Sequence, residues 1–184
     1  MRALTNSMLI CLILTMACRT PQAPAAVAVP APKTPATMST AWIPADTKKL
    51  CSDVKLSQLC SSLLELRDRD QLIRRKWLED RENAAIKAEV EKVDRENLAA
   101  VEAIIAEHGY PGKSLVGVKA SGASWTIIQH ADLETQKKYL DVMTSAVESG
   151  ELEGALLATT VDRIRIREGQ PQLYGTQFRE VNGE

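Results

Sequence analysis

The sequence is poor in aromatic residues, with one phenylalanine, three tyrosines and three tryptophans among 184 residues. Strands draw on aromatic and β-branched side chains, so this scarcity predicts helix rather than sheet. An excess of one charge is also missing: 23 basic and 24 acidic residues leave a net charge of −1. Nucleic-acid binders carry a basic excess or a basic stripe. Here stretches such as Arg67-Asp68-Arg69-Asp70 mix the signs, and no nucleic-acid partner is expected. No apolar run approaches the ~20 residues that a membrane-spanning helix needs. Two histidines and no second cysteine pair within the domain are too few for a zinc site. The sequence has no Gly-rich phosphate loop, Gly-x-Ser-x-Gly elbow or His-Glu-x-x-His helix. No cofactor is specified.

What is present begins with an address. Residues 1–17 have the form of a signal peptide: Arg2, then the apolar core Met8-Leu9-Ile10-Cys11-Leu12-Ile13-Leu14, then Thr15-Met16-Ala17. A small residue followed by Cys18 resembles the lipobox of bacterial lipoproteins, in which the cysteine is lipid-modified and becomes the new N-terminus. The lipobox usually has Leu three residues before the Cys; Thr15 stands there and Leu14 is one place early. The resemblance implies lipidation at Cys18, a membrane anchor through it, and a place in the cell envelope. Arg19 follows the Cys, not the Asp of inner-membrane retention, so the resemblance favours the outer membrane. The alternative is ordinary secretory cleavage into the periplasm, with Cys18 an incidental thiol.

Residues 18–45 form a tether. Six of the chain's eight prolines lie there, interleaved with Ala, Val and Thr. Proline fixes φ and removes a donor, so such a segment stays extended. Every acidic residue lies beyond it, in a domain spanning residues 46–184. Cys51 and Cys60 open that domain, and an oxidising compartment allows them to pair. Nine residues along one straight helix are ~13.5 Å of rise, too far for a bridge. A disulfide therefore requires Cys51 to sit in a turn that folds back. Otherwise both remain thiols.

The apolar pattern predicts an all-α domain of about five helices around one core, with an irregular C-terminal tail. Leu56, Leu59, Leu63, Leu66, Ile73 and Trp77 mark a helix over about 53–80. Ile86, Val90, Val93, Leu98, Val101, Ile104 and Ile105 mark a second over about 83–108. Gly109 and Pro111 stop it, and His108 in its last turn suits the macrodipole. Ser121 or Ser124 is expected to cap a short helix carrying Trp125, Ile127 and Ile128. Asp132 is expected to cap the next helix, with Thr135 three residues on. That helix buries Tyr139, Leu140, Met143, Ala146 and Val147 and ends at Gly150. A last helix over about 153–168 buries Leu157, Val161 and Ile164 and ends at Gly169 and Pro171.

The polar residues fall into patches: Asp70, Gln71 and Arg74; Asp94 and Asn97; Gln129, His130 and Asp132; Asp162 and Arg163; Tyr174 to Gln177. Taken in order, Gly109-Tyr110-Pro111-Gly112, Gln129-His130-Ala131-Asp132, Asp162-Arg163 and Tyr174-Gly175-Thr176-Gln177 resemble a bacterial family known only as domain of unknown function 6624. Asp70-Gln71 with Arg74, and Asp94 with Asn97, join the match, which covers roughly residues 63–178. Tyr110 stands where that family has Trp. The resemblance implies that these polar residues matter, and it carries no reaction.

His130 is the candidate acid/base, because an imidazole titrates near neutral pH. Asp132, Asp162 and Asp94 are its candidate orienting carboxylates, the first only if the chain between them is not helical. Asp70 and Arg74 read as a surface i,i+4 pair, or as an anion-holding Arg74. Asp162 beside the apolar stripe needs a partner, with Arg74 or Arg163 available. Three readings follow. The domain binds a small-molecule or protein partner, using Asp70, Gln71, Arg74, Asp94, Asn97, Gln129, Arg163, Tyr174 and Gln177. Alternatively it is a small hydrolase or transferase built on His130, Asp162 and Asp132. In the third, the polar residues form a structural network that fixes helix register.

Overall fold

A computed structural model describes residues 49–178 of the chain. The signal peptide, Cys18 and the tether lie outside the described residues, as do the last six positions. Helix α1 (Ser57–Glu79) is followed by α2 (Ala84–His108), α3 (Lys113–His130), α4 (Leu133–Lys138), α5 (Leu140–Glu148) and α6 (Gly154–Arg167). No strand occurs among the described residues. The fold is all-α, and none of these helices is long and apolar enough to cross a membrane.

Apolar spacing decides which faces meet. Leu66, Val101, Ile127, Ile128, Tyr139, Met143, Ala146 and Leu152 form one buried cluster joining α1, α2, α3 and α5. Leu63 and Leu64 pack with Val116, Ala120 and Ala123 in a second, which also takes in Cys51 and Cys60. Ile73, Val90 and Val93 close the far end of the α1–α2 hairpin. Cys51 sits in a turn that folds back onto the first turns of α1. It is joined to Cys60 by a disulfide, with their Cα atoms 5.7 Å apart.

Local chemistry sets some of the helix ends. The Asn83 side chain accepts from the amides of Ala85 and Ile86 to start α2. Asp132 accepts from Thr135 N at 2.7 Å to start α4. Tyr139 is a single non-helical step between α4 and α5. The region after Pro111 departs from expectation. Ser121 and Ser124 do not cap a short helix; both are buried inside α3, which begins eleven residues earlier than Ser124, at Lys113. Its start is held from afar: Lys113 N donates to Glu151 O at 3.1 Å and Ser114 N to Glu151 Oε2 at 2.8 Å. The helix is broken at Gly117, whose φ is 80° and ψ 164°.

Candidate functional site

Three helices bring the site together. Arg67, Asp70, Gln71 and Arg74 lie at positions i, i+3, i+4 and i+7 of α1, hence on one face. Asp94 comes from α2, and His130 is the last residue of α3. The C-terminal carbonyls of α3 are met by side chains from its neighbours. Gln136 Nε2 (2.8 Å) and Arg163 Nη1 (3.1 Å) donate to Gln129 O, and Arg167 Nη1 donates to Ala131 O at 3.1 Å. Those donors satisfy the open helix end and fix where His130 stands.

Asp70 is fully buried, which corrects its reading as half of a surface pair. Its Oδ1 lies 2.8 Å from His130 Nδ1 and 3.2 Å from Arg74 Nε, and its Oδ2 accepts from Gln71 Nε2 at 2.8 Å. Arg74 Nε is also 2.8 Å from His130 Nδ1, and Arg74 Nη2 donates to Asp94 Oδ1 at 2.5 Å. Arg74 Nε has one hydrogen to give, so two proton placements compete. If it went to His130 Nδ1, the lone pair of that nitrogen would face a buried carboxylate. Placing the ring proton on Nδ1 instead gives Asp70 Oδ1 two donors, which a buried carboxylate needs. In the neutral ring the network therefore places the proton of His130 on Nδ1 and leaves Nε2 with the lone pair.

Among the described residues Nε2 has no hydrogen-bond partner, and it is not one of the buried unpartnered atoms. The His130 side chain is 22% exposed. It stands between two open grooves. One, of about 350 Å³, is lined by Arg67, Gln71, Trp125 and Arg163 together with His130. The other, of about 290 Å³, has Glu91, Asp94, Arg95 and Asp132 along its wall.

The charges shift accordingly. Burial pushes the Asp70 carboxyl up, but the His130 hydrogen bond and charge, then Arg74 and Gln71, outweigh it and hold Asp70 below its ordinary value. Burial raises Asp94, and Arg74 offsets only part of that. Arg163 is lowered from its ordinary value, first by burial and then by the charges of Arg167 and Arg74.

The other candidate residues lie elsewhere or are otherwise engaged. Asp162 is fully buried, and neither Arg74 nor Arg163 is its partner. Its Oδ1 accepts from Leu173 N (2.7 Å) and Tyr174 N (3.0 Å), and its Oδ2 from Thr176 N (2.8 Å) and Thr176 Oγ1 (2.9 Å). Those bonds outweigh the burial that would raise its pKa and hold it down at about 2. Asp162 thus clasps the tail to α6. Tyr174 is exposed, and Gln177 closes the same loop through Gln172, with Gln177 N donating to Gln172 Oε1 at 2.8 Å.

The chain is non-helical at Ala131 (ψ 174°), yet Asp132 spends a carboxylate oxygen on its cap and makes no hydrogen bond to His130. Asn97 is buried and bridges α1 and α2, donating to Leu66 O at 3.1 Å and accepting from Arg69 Nε at 3.0 Å. Gln129 donates through Nε2 to Thr160 Oγ1. The sequence expectations do not pair Asp70 with His130, and they leave Arg67 and Trp125 out of the site. The spacing of Arg67 with Gln71 and Arg74 is the signal that would have found the first. No group of three His, Cys, Asp or Glu side chains among the described residues is placed to hold a metal.

No curated protein and no solved structure matches the chain. A family model does, over residues 57–183, which takes in every residue of the Asp70–Arg74–Asp94–His130 centre. The chain therefore belongs to the Family of unknown function (DUF6624).

Proposed function

We propose that this is an exported protein, anchored through a lipid on Cys18, whose helical domain binds a ligand at the groove where His130 presents Nε2. One observation carries the binding reading. A buried carboxylate fixes one ring nitrogen while the other, at an open groove, has no partner among the described residues. A network serving only helix register has no use for an unpartnered, reachable nitrogen. Export is supported by the Cys51–Cys60 disulfide, since such bonds persist in oxidising compartments.

The same hydrogen bond favours a second reading. A carboxylate on Nδ1–H holds the tautomer that a general base requires, so a hydrolase or transferase centred on His130 fits too. In that case Asp70, rather than Asp132 or Asp162, orients the ring.

Diethyl pyrocarbonate tests the site, because it modifies reachable neutral imidazole nitrogens. With the full chain, His130 is expected to react alongside His108, the only other histidine. An inert His130 beside a reactive His108 means a sealed network and ends the binding reading. For the anchor, labelled palmitate is expected in the wild-type chain and not in Cys18→Ser; equal labelling of both would refute lipidation there.

A further inference from the structure

The two grooves flanking His130 differ in charge. Three carboxylates, those of Glu91, Asp94 and Asp132, line one. The other offers the guanidinium groups of Arg67 and Arg163, and no carboxylate lines it among the described residues. Arg67, partly buried, shares its charge with Asp68 at 2.7 Å. Arg163 is half-buried, and among the described residues its one hydrogen bond goes to the carbonyl of Gln129. Among the described residues it has no carboxylate within ion-pair distance, while two further cations, Arg74 and Arg167, stand near enough to disfavour its charge. A half-buried guanidinium without an anion is costly, and this one faces a groove of about 350 Å³, the size of a small-molecule site.

We infer that this groove holds a hydrogen phosphate group, bound by Arg163 and Arg67 with its P–OH donating to His130 Nε2. The inference rests on the reading of the His130 groove as a binding site. Phosphate, rather than carboxylate, follows from the mix of donors and one acceptor that face the groove. The N–H groups of Arg163 and Arg67 that are not already given to Gln129 O and Asp68, with the second hydrogen of Gln71 Nε2, call for acceptors, while the lone pair on His130 Nε2 calls for a donor; a hydrogen phosphate offers both, and a carboxylate offers only acceptors. The indole N–H of Trp125 is occupied by Leu156 O at 2.9 Å and Thr160 Oγ1 at 3.0 Å. Trp125 therefore offers the groove an apolar surface, suited to the organic part of a phosphate monoester.

The test is a titration of the full chain in nonionic detergent with inorganic phosphate and, separately, acetate at matched ionic strength. NMR follows the His130 ring, the Trp125 indole and the Arg163 side chain. Phosphate is expected to give saturable shifts at all three and acetate only weak, unsaturated ones. Arg163→Gln is expected to weaken phosphate by about tenfold or more, with Arg163→Lys in between. Because Arg163 also caps α3, Arg67→Gln serves as a second variant that leaves that cap in place; it is expected to cost about threefold. Unsaturable phosphate shifts, acetate binding as tight as phosphate, or a phosphate affinity indifferent to both arginine changes would each overturn the inference. A His130 that reacts with diethyl pyrocarbonate yet ignores phosphate leaves the binding reading standing and ends only this one.

Discussion

Asp70 has no contact with solvent, and three side-chain donors converge on its carboxylate. Replacing it with Asn keeps the volume and removes the charge. The new amide can accept one of those bonds, but its NH₂ group meets donors elsewhere. Arg74 keeps only Asp94, which is 28% exposed. The loss is expected to be about 1–3 kcal/mol of stability, read by urea unfolding. A second effect is specific to the ring. Without a carboxylate on Nδ1, the Arg74 Nε hydrogen turns to that nitrogen, and the proton of the neutral ring moves to Nε2. ¹⁵N spectra of the neutral His130 should show Nδ1 protonated in the wild type and Nε2 protonated in Asp70→Asn. The same tautomer in both would mean that Asp70 does not orient the ring. The sequence offered Asp132, Asp162 and Asp94 as orienting groups because they are near in sequence or carry the right charge. Which carboxylate reaches His130 is decided by the packing of α1 against α3, across 60 residues of chain, and no local pattern encodes it.

Where a helix begins or ends by its own residues, the sequence showed it. Asn83 and Asp132 cap with their own side chains. Gly109, Gly150 and Gly169 take positive φ at the helix stops where glycine was read as the terminator. The start of α3 was illegible for a different reason. Its N-terminal amides are satisfied by Glu151, 37 residues away from Ser114, so no capping residue marks it. The break within it needs glycine twice over. The backbone of Gly117 lies in a region essentially closed to other residues. A Cβ there would also stand 2.8 Å from Val54 Cγ1 in the turn that the disulfide holds down. Serines at 121 and 124 looked like caps because Ser caps helices more often than it sits inside them. Here both lie within the helix, and Ser121 turns its hydroxyl back to Val118 O at 3.0 Å.

At the scale of the molecule, composition and periodicity made the all-α class readable, whereas the way the tail joins the rest was hidden. The tail has no periodicity because backbone amides fasten it to one carboxylate rather than an apolar face. That fastening links stability to acid. Asp162 falls from an ordinary aspartate value of 3.8 to about 2 in the folded chain, so the folded state binds its proton later than the unfolded state does. Its contribution is fully present above about pH 4 and is lost as pH drops toward about 2. Asp70 is shifted in the same direction by His130 and Arg74, while Asp94 is shifted in the opposite one. Asp94 takes its proton earlier when folded, so it offsets part of the loss. Asp162→Asn isolates the clasp, because it leaves Asp70 and Asp94 in place. The variant is expected to be less stable than the wild type near neutral pH, and the gap should narrow steadily between about pH 4 and about pH 2. Amide exchange should locate the change: Leu173, Tyr174 and Thr176 lose protection in the variant, while the amides of α1 keep theirs. A gap that stays constant across that range would mean that the tail amides bind the neutral acid as well as the carboxylate, and the clasp would then not be electrostatic.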